Sequence, residues 1–301
     1  MPLNAWIMLV TLSIVWGGSF FFNAVLLAEL SPFGVVFGRV LIGCLVLYAV
    51  LRMQGLTLAL ARHWRAFLAM GFLNNFIPFT LIASGQTFID SGLASIFNAT
   101  TPLFGAILAF FLVRDENVTG KKLVGVVLGV AGVAVLFGIG SANPAGPDTL
   151  TGGAMVMLAS LSYAIAGLFW RRFPTIPPPV AACGMQLASS LMCLPLAAYH
   201  DGARFLHLSA GGVASLLGIG VLCSAFGFIL YFQVLRTAGA VNVLLVTLLI
   251  PVSASLLGAL FLGEAITAVE IAGMAVIGLG LLVVDGRLPA LLHRRLTGGG
   301  N

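Results

Sequence analysis

The chain has 301 residues, of which 60% are hydrophobic and only 8% charged, with a formal net charge of +5 at pH 7. Soluble domains carry about 25% charged residues, so this chain cannot clothe a water-facing surface and most of its exterior must face lipid. The positive balance does not indicate nucleic acid, because the basic residues alternate between loops instead of gathering on one face.

A helix that crosses a bilayer needs about 20 predominantly apolar residues. Such runs recur ten times, at residues 4–27, 32–51, 66–88, 91–113, 121–139, 151–170, 178–199, 211–233, 240–262 and 267–285. The first run lacks a basic leader region and carries Trp16, Ser19 and Asn23, so it reads as a span and not as a cleaved signal. Ser31-Pro32, Asn143 to Pro147 and Pro177-Pro178-Pro179 break the chain between spans. All linkers are short, which leaves no room for a second soluble domain. Cys44, Cys183, Cys193 and Cys223 lie in apolar runs without a CxxC pair, which argues against disulfide or zinc frameworks.

The basic residues set an orientation. With a cytoplasmic amino terminus, the cytoplasmic side holds Arg52, Arg62, Arg65, Arg114, Lys121, Lys122, Arg171, Arg172, Arg236, Arg287, Arg294 and Arg295. The opposite side holds Arg204, and Arg39 lies within the second span. Both termini are therefore expected in the cytoplasm.

The two halves resemble each other. Pro32 and Arg39 match Pro179 and Gln186; Gly71, Gln86 and Gly92 match Gly218, Gln233 and Gly239; Pro102 matches Pro251; Glu116 and Thr119 match Glu264 and Thr267. The expected fold is an all-α integral membrane protein of ten transmembrane helices in two five-helix repeats, residues 1–145 and 146–301. An odd number of spans per repeat inverts the second repeat, the layout of secondary transporters whose substrate site lies at the midplane.

The chain resembles the drug/metabolite transporter superfamily, specifically its EamA-type ten-helix exporters. The resemblance rests on Trp16-Gly17-Gly18-Ser19-Phe20, Arg39, the stretch Ala94 to Glu116 centred on Thr101-Pro102-Leu103-Phe104, Gly125 to Gly132, Pro251, Gly263-Glu264 and Gly273 to Gly280. It implies export of small metabolites, commonly amino acids or drug-like compounds. It also implies a cavity lined by spans 3, 4, 8 and 9 with contributions from 1 and 6. Val113-Arg114-Asp115-Glu116 departs from the more typical Leu262-Gly263-Glu264 of the second half.

Polar groups in lipid are costly, so those within spans should face the bundle interior. The candidates for substrate contact are Trp16, Asn75, Phe79, Phe97, Asn98, Thr101, Tyr163, Ser224, Tyr231 and Thr247, with Asn242 as a further polar residue of span 9. The competing reading for each polar residue is an interhelical hydrogen bond, and for each aromatic a lipid-facing or interfacial place. Pro78, Pro102 and Pro251 lie inside spans, where proline removes a backbone hydrogen bond. They are candidate hinges, the last two at matching places in the halves. Arg39 is the charged residue well inside a span, about 10 Å past Pro32 at 1.5 Å per residue. It either draws in a substrate carboxylate or serves structure by bonding carbonyls or reaching outward.

The alternatives are a membrane enzyme, a channel and a nucleotide-sugar carrier. His63, His200, His207 and His293 lie in loops or the tail, and no HExxH, GxSxG or ATP-binding motif occurs. No charged selectivity ring is visible, and a phosphate pocket would want several buried cations. The expected partners are a small-molecule substrate and the lipid bilayer, with no nucleic acid, metal or cofactor, in a monomer or weak oligomer of a bacterial-type inner (cytoplasmic) membrane. Glu29, Asp90, Asp115, Glu116, Asp148, Asp201, Glu264, Glu270 and Asp285 fall in loops or at span edges. Transport is therefore expected to need no proton binding by the protein.

Overall fold

The computed structural model describes residues 3–112, 120–137, 145–173, 175–238 and 246–284. Asn242, the segment from Val113 to Thr119, and the tail from Asp285 onward, with Arg287, His293, Arg294 and Arg295, lie outside the described residues.

Among the described residues, ten membrane helices follow in chain order. α1 is Leu3–Leu27 and α2 is Pro32–Met53. α3 is Leu60–Gly85, and α4 comprises Ser91–Asn98 and Thr101–Leu112. α5 is Gly120–Leu136, α6 is Pro147–Trp170 and α7 is Pro178–His200. α8 comprises Ala210–Leu217, Gly218–Phe226 and Gly227–Ala238. α9 comprises Val246–Leu257 and Gly258–Leu262, and α10 is Ala268–Val284. Seven of these are long and apolar enough to cross a bilayer by themselves; α5, α9 and α10 are shorter apolar helices. α3 starts at Leu60, earlier than its apolar run, because an amphipathic turn with Arg62, His63 and Arg65 continues the helix beyond the hydrocarbon.

Local chemistry starts the helices where the sequence breaks. Ser31 caps α2 by accepting from the Gly34 amide at 3.2 Å, and Ser209 caps α8 by accepting from Gly212 at 3.0 Å. Proline opens α2, α6 and α7, at positions whose amides have no helical partner.

The halves pack on each other rather than side by side. α1 packs on α8 and α9, and α6 packs on α3 and α4, the same pairing with the halves exchanged. α2 packs on α7 and α5 on α10, pairs that the exchange maps onto themselves. The α5–α10 contact is a glycine crossing: a Cβ on Gly280 would meet the Gly125 carbonyl and the Gly129 amide, both at 2.7 Å.

Several helices carry interruptions. α3 contains a π-helical turn at Phe72–Phe76 and α8 one at Gly218–Phe226. The 147-residue offset between halves carries the first onto 219–223, inside the second. In α4 the helix opens at Ala99-Thr100, just before Pro102. Pro102 cannot donate to the Asn98 carbonyl, and two hydroxyls take its place: Thr101 Oγ1 at 2.8 Å and Ser160 Oγ of α6 at 3.3 Å. Pro251 lies within continuous helix, so the two matching prolines sit in different local structures.

Candidate functional site

Arg39 of α2 is buried, at 8% exposure. Its Nε donates to Ser224 Oγ of α8 at 3.0 Å and its NH1 to Ser19 Oγ of α1 at 2.8 Å. The guanidinium carbon lies 3.7 Å from the centroid of the Phe79 ring of α3, a cation–π contact. Phe79 in turn meets Tyr163 of α6 edge to face at 6.4 Å. One cation thus gathers side chains from α1, α3 and α8, with α6 behind, drawing on both repeats.

The π turns make this convergence possible. A π turn shifts backbone hydrogen bonds out of register and leaves carbonyls to side chains. In α8, Ser224 Oγ donates to the Ile219 carbonyl at 3.0 Å, which fixes its lone pairs toward Arg39. Trp16 Nε1 donates to the Cys223 carbonyl at 3.2 Å, and Gln186 Nε2 of α7 to the Ser224 carbonyl at 3.3 Å. In α3, Ser189 Oγ of α7 donates to the Gly71 carbonyl at 2.9 Å and Ser162 Oγ of α6 to the Leu73 carbonyl at 2.7 Å. Arg39 and its repeat partner Gln186 therefore both end on Ser224. Gly43 leaves the space: a Cβ there would meet Gln186 Oε1 at 2.7 Å and Ser224 Cβ at 2.8 Å.

Asn75 lies one turn before Phe79 on α3 and is fully buried. Its Nδ2 has no hydrogen-bond partner, and neither does Gln186 Oε1, Thr80 Oγ1 or Asn98 Oδ1. Buried polar atoms are nearly always paired, so such groups ask for a ligand or water.

The other sequence candidates fall into different places. Trp16 stacks on Tyr231 at 5.5 Å and meets Phe228 at 6.3 Å, a separate aromatic group between α1 and α8. Phe97 is fully buried beside Phe137, 5.0 Å between centroids, in the apolar core. Asn98 and Thr101 sit at the α4 opening, where the Thr101 hydroxyl is used on the Asn98 carbonyl. Thr247 is half-buried on α9. Pro78 opens the helical segment that follows the α3 π turn. Pro251 lines an apolar cavity of about 390 Å³ between α4, α9 and α10, with Ile96, Ala99, Leu248, Met274 and Ile277. The structure thus brings Arg39, Phe79, Tyr163 and Ser224 together, with Asn75 one turn before Phe79 on α3; Phe97 belongs to the apolar core against which Tyr163 also packs, and Asn98, Thr101 and Pro251 make none of the Arg39 contacts. Ser19 and Gln186 belong to the centre as well; the repeat pairing with Arg39 was the sequence signal for Gln186, and polarity within the first span that for Ser19.

A second feature lies on the face opposite the chain termini, where the connections α1–α2, α3–α4, α7–α8 and α9–α10 emerge. Asp201 accepts from the Ser31 amide at 2.6 Å and from its hydroxyl at 2.5 Å. Glu29 accepts from the Ser209 amide at 2.7 Å and its hydroxyl at 2.6 Å. Glu264 accepts from the Ser91 amide at 2.9 Å, its hydroxyl at 2.7 Å and the Gly92 amide at 3.2 Å. Each clamp joins one repeat to the other, across 170, 180 and 173 residues. Each carboxylate also lies over a glycine, Gly34, Gly212 or Gly258, where a Cβ would collide with it. The Ser209 hydroxyl and amide hold the Glu29 carboxyl below its usual range. Burial, then the charge of Glu264, holds neighbouring Asp90 above it.

Among the described residues, apolar helices in a bundle, a buried polar centre shared by two inverted repeats and clamps between the repeats on one face define a polytopic membrane protein. The chain belongs to the EamA-like transporter family, which it matches over residues 3–138 and again over 150–284. It is 26% identical over 277 residues to the uncharacterized transporter YoaV of Bacillus subtilis (strain 168), covering 91% of this chain and 94% of that protein. It is 27% identical over 283 residues to an uncharacterized transporter of Archaeoglobus fulgidus, covering 94% of this chain and 99% of that one. A solved structure 21% identical in sequence superposes with a TM-score of 0.65 over 99% of both chains, which shows the shared fold. The protein is a membrane transporter of the drug/metabolite type.

Proposed function

We propose that this transporter is a secondary exporter of small metabolites, amino acids or aromatic and drug-like compounds, working by alternating access from a bacterial-type cytoplasmic membrane. The observation that carries this reading is the pairing of the buried centre around Arg39 with the clamps between repeats on the far face. A solute at the centre has no way out through that face until the repeats part. An open pore has no use for such clamps, whereas a carrier needs them to close one side while the other opens. Both termini lie in the cytoplasm on this reading, by the excess of Lys and Arg in the near-face loops, which makes the clamped face the outer one. Substrate reaches Arg39 from the cytoplasm and leaves once the clamps release. The flux runs down the substrate's own gradient, because the described acidic residues are at helix ends or in connections.

The test is counterflow in proteoliposomes, loaded with unlabelled amino acids or aromatic solutes and presented with traces of the labelled compound. Saturable, transient accumulation of label supports a carrier. Linear flux without saturation for every permeant solute points to a channel, and no flux for any solute on the panel sinks the exporter reading. Adding a pH gradient at fixed membrane potential should leave the accumulation unchanged. Uptake that appears only with the gradient, and is lost in Asp90→Asn or Glu270→Gln, contradicts downhill flux.

A further inference from the structure

We infer that the Arg39 centre is a binding site for the carboxylate group of the substrate, which narrows the proposed exporter to small organic acids and amino acids and rests on that reading. A guanidinium has five N–H donors and no acceptor. Ser19 and Ser224 take two of them, and the other three have no partner among the described residues, on a side chain that is 8% exposed. No carboxylate pairs with Arg39 among the described residues. The ionisable groups that act on it are Tyr163 and Cys223, whose ordinary pKa values lie well above 7. Arginine does not shed its proton to escape such a place, so the charge stays, and a buried charge without a counter-ion is strongly unfavourable.

The neighbours supply further donors. Asn75 Nδ2 is fully enclosed and unpaired, and the Tyr163 hydroxyl makes no hydrogen bond among the described residues. Phe79 lies against both Arg39 and Tyr163, and Asn75 stands one turn before it on α3. Unfilled donors around a fixed cation are the complement of a planar, two-oxygen anion, which an arginine fork grips through paired N–H···O bonds. The apolar ring of Phe79 covers one face of the guanidinium and keeps water from competing there.

The experiment compares carboxylates with their neutral amides. Purified protein in detergent is melted with acetate, benzoate and the common amino acids, and with acetamide, benzamide and the amino-acid amides. The same pairs then compete in counterflow. At least one carboxylate should raise the melting temperature and compete, while its amide does neither. Arg39→Gln should weaken that carboxylate about 10- to 100-fold, the range of a lost charged hydrogen bond. Arg39→Lys should keep part of the preference, because the charge remains while the fork is gone. If Arg39→Gln does not fold, the wild-type preference for acid over amide decides with the lysine variant. Equal binding of acid and amide, or a carboxylate affinity unmoved in Arg39→Gln, overturns the site. Flux indifferent to the carboxylate sinks this site and leaves the carrier reading; carboxylate binding without flux does the reverse.

Discussion

The two faces of the bundle are closed by different chemistry. On the far face, carboxylates grip serines across the repeats. On the near face, the described connections α2–α3 and α6–α7 meet through apolar side chains: Leu56 and Leu58 join Leu51, Phe67, Phe173, Ile176 and Val180 in one cluster. The inverted repeat makes this difference visible in residues. The repeat offset carries Ser31 and Asp201 onto Pro178 and Gln54, and Glu29 and Ser209 onto Ile176 and Arg62. The near face therefore lacks both partners of these two clamps, while Glu264 of the third is matched by Glu116, which lies outside the described residues. Hydrogen-bonded clamps are exchanged readily for water, and each contributes modestly to a closed state. Apolar seams are non-directional and scale with area. On the proposed alternating-access reading, the far face is a polar gate, and the described near-face connections form an apolar one.

Breaking the near seam should have the largest effect. Ile176 is 4% exposed, and Ile176→Ala is expected to weaken near-face closure by about 2–5 kcal/mol, the usual range for a buried large-to-alanine change. Distances between spin labels across the near face should lengthen while those on the far face stay short. Next comes Asp201→Ala, which strips the Ser31 amide and hydroxyl of a buried acceptor. It should favour far-face opening by about 1.5–3 kcal/mol, read as faster labelling of cysteines placed beneath the clamp. Glu264→Gln keeps an oxygen for Ser91 and Gly92 but loses the charge, so a shift of about 1 kcal/mol in the same direction is expected.

The smallest effect belongs to Glu29, at the water-exposed clamp, and it should be read through pH. Its folded pKa lies below the ordinary carboxylate value, so the clamp contributes fully above that ordinary value, about 4.3, and is lost as pH falls through the lowered one. Acidifying the far side well below that ordinary value should progressively release the Ser209 connection. Asp201, Arg204 and His207 share that connection, so the Glu29 share is the part of the profile missing in Glu29→Gln.

The spans were legible because lipid imposes a length and a composition that few other structures satisfy. The described acidic residues were likewise legible as loop and helix-end groups. The interruptions were legible only where a proline marks them, Pro102 at the α4 opening and Pro78 just after the α3 π turn. Around the π turn Phe72–Phe76, Ser162 donates to the Leu73 carbonyl and Ser189 to the Gly71 carbonyl just before the turn, and the local sequence does not announce those donors from other helices. The clamps were hidden for the same reason: Ser31, Ser91 and Ser209 read as ordinary helix starts, while their acceptors lie 170 or more residues away. At the centre, Arg39, Asn75, Phe79, Tyr163 and Ser224 were named from polarity within spans. Polarity alone did not separate them from Phe97 or Thr101, whose surroundings are set by the α4 opening and the apolar core.

The most direct test measures the two gates together. All four native cysteines are buried, so spin labels can be placed at Ala28 and Leu206 on the far face, and in a second sample at Met53 and Thr175 on the near face. The parent is then compared in nanodiscs with Glu29→Gln, Asp201→Asn and Glu264→Gln combined. If the carboxylate clamps are the outer gate, the combined variant moves the Ala28–Leu206 distance to a longer population and leaves or shortens Met53–Thr175. A far-face distance that stays short with all three clamps broken would contradict it.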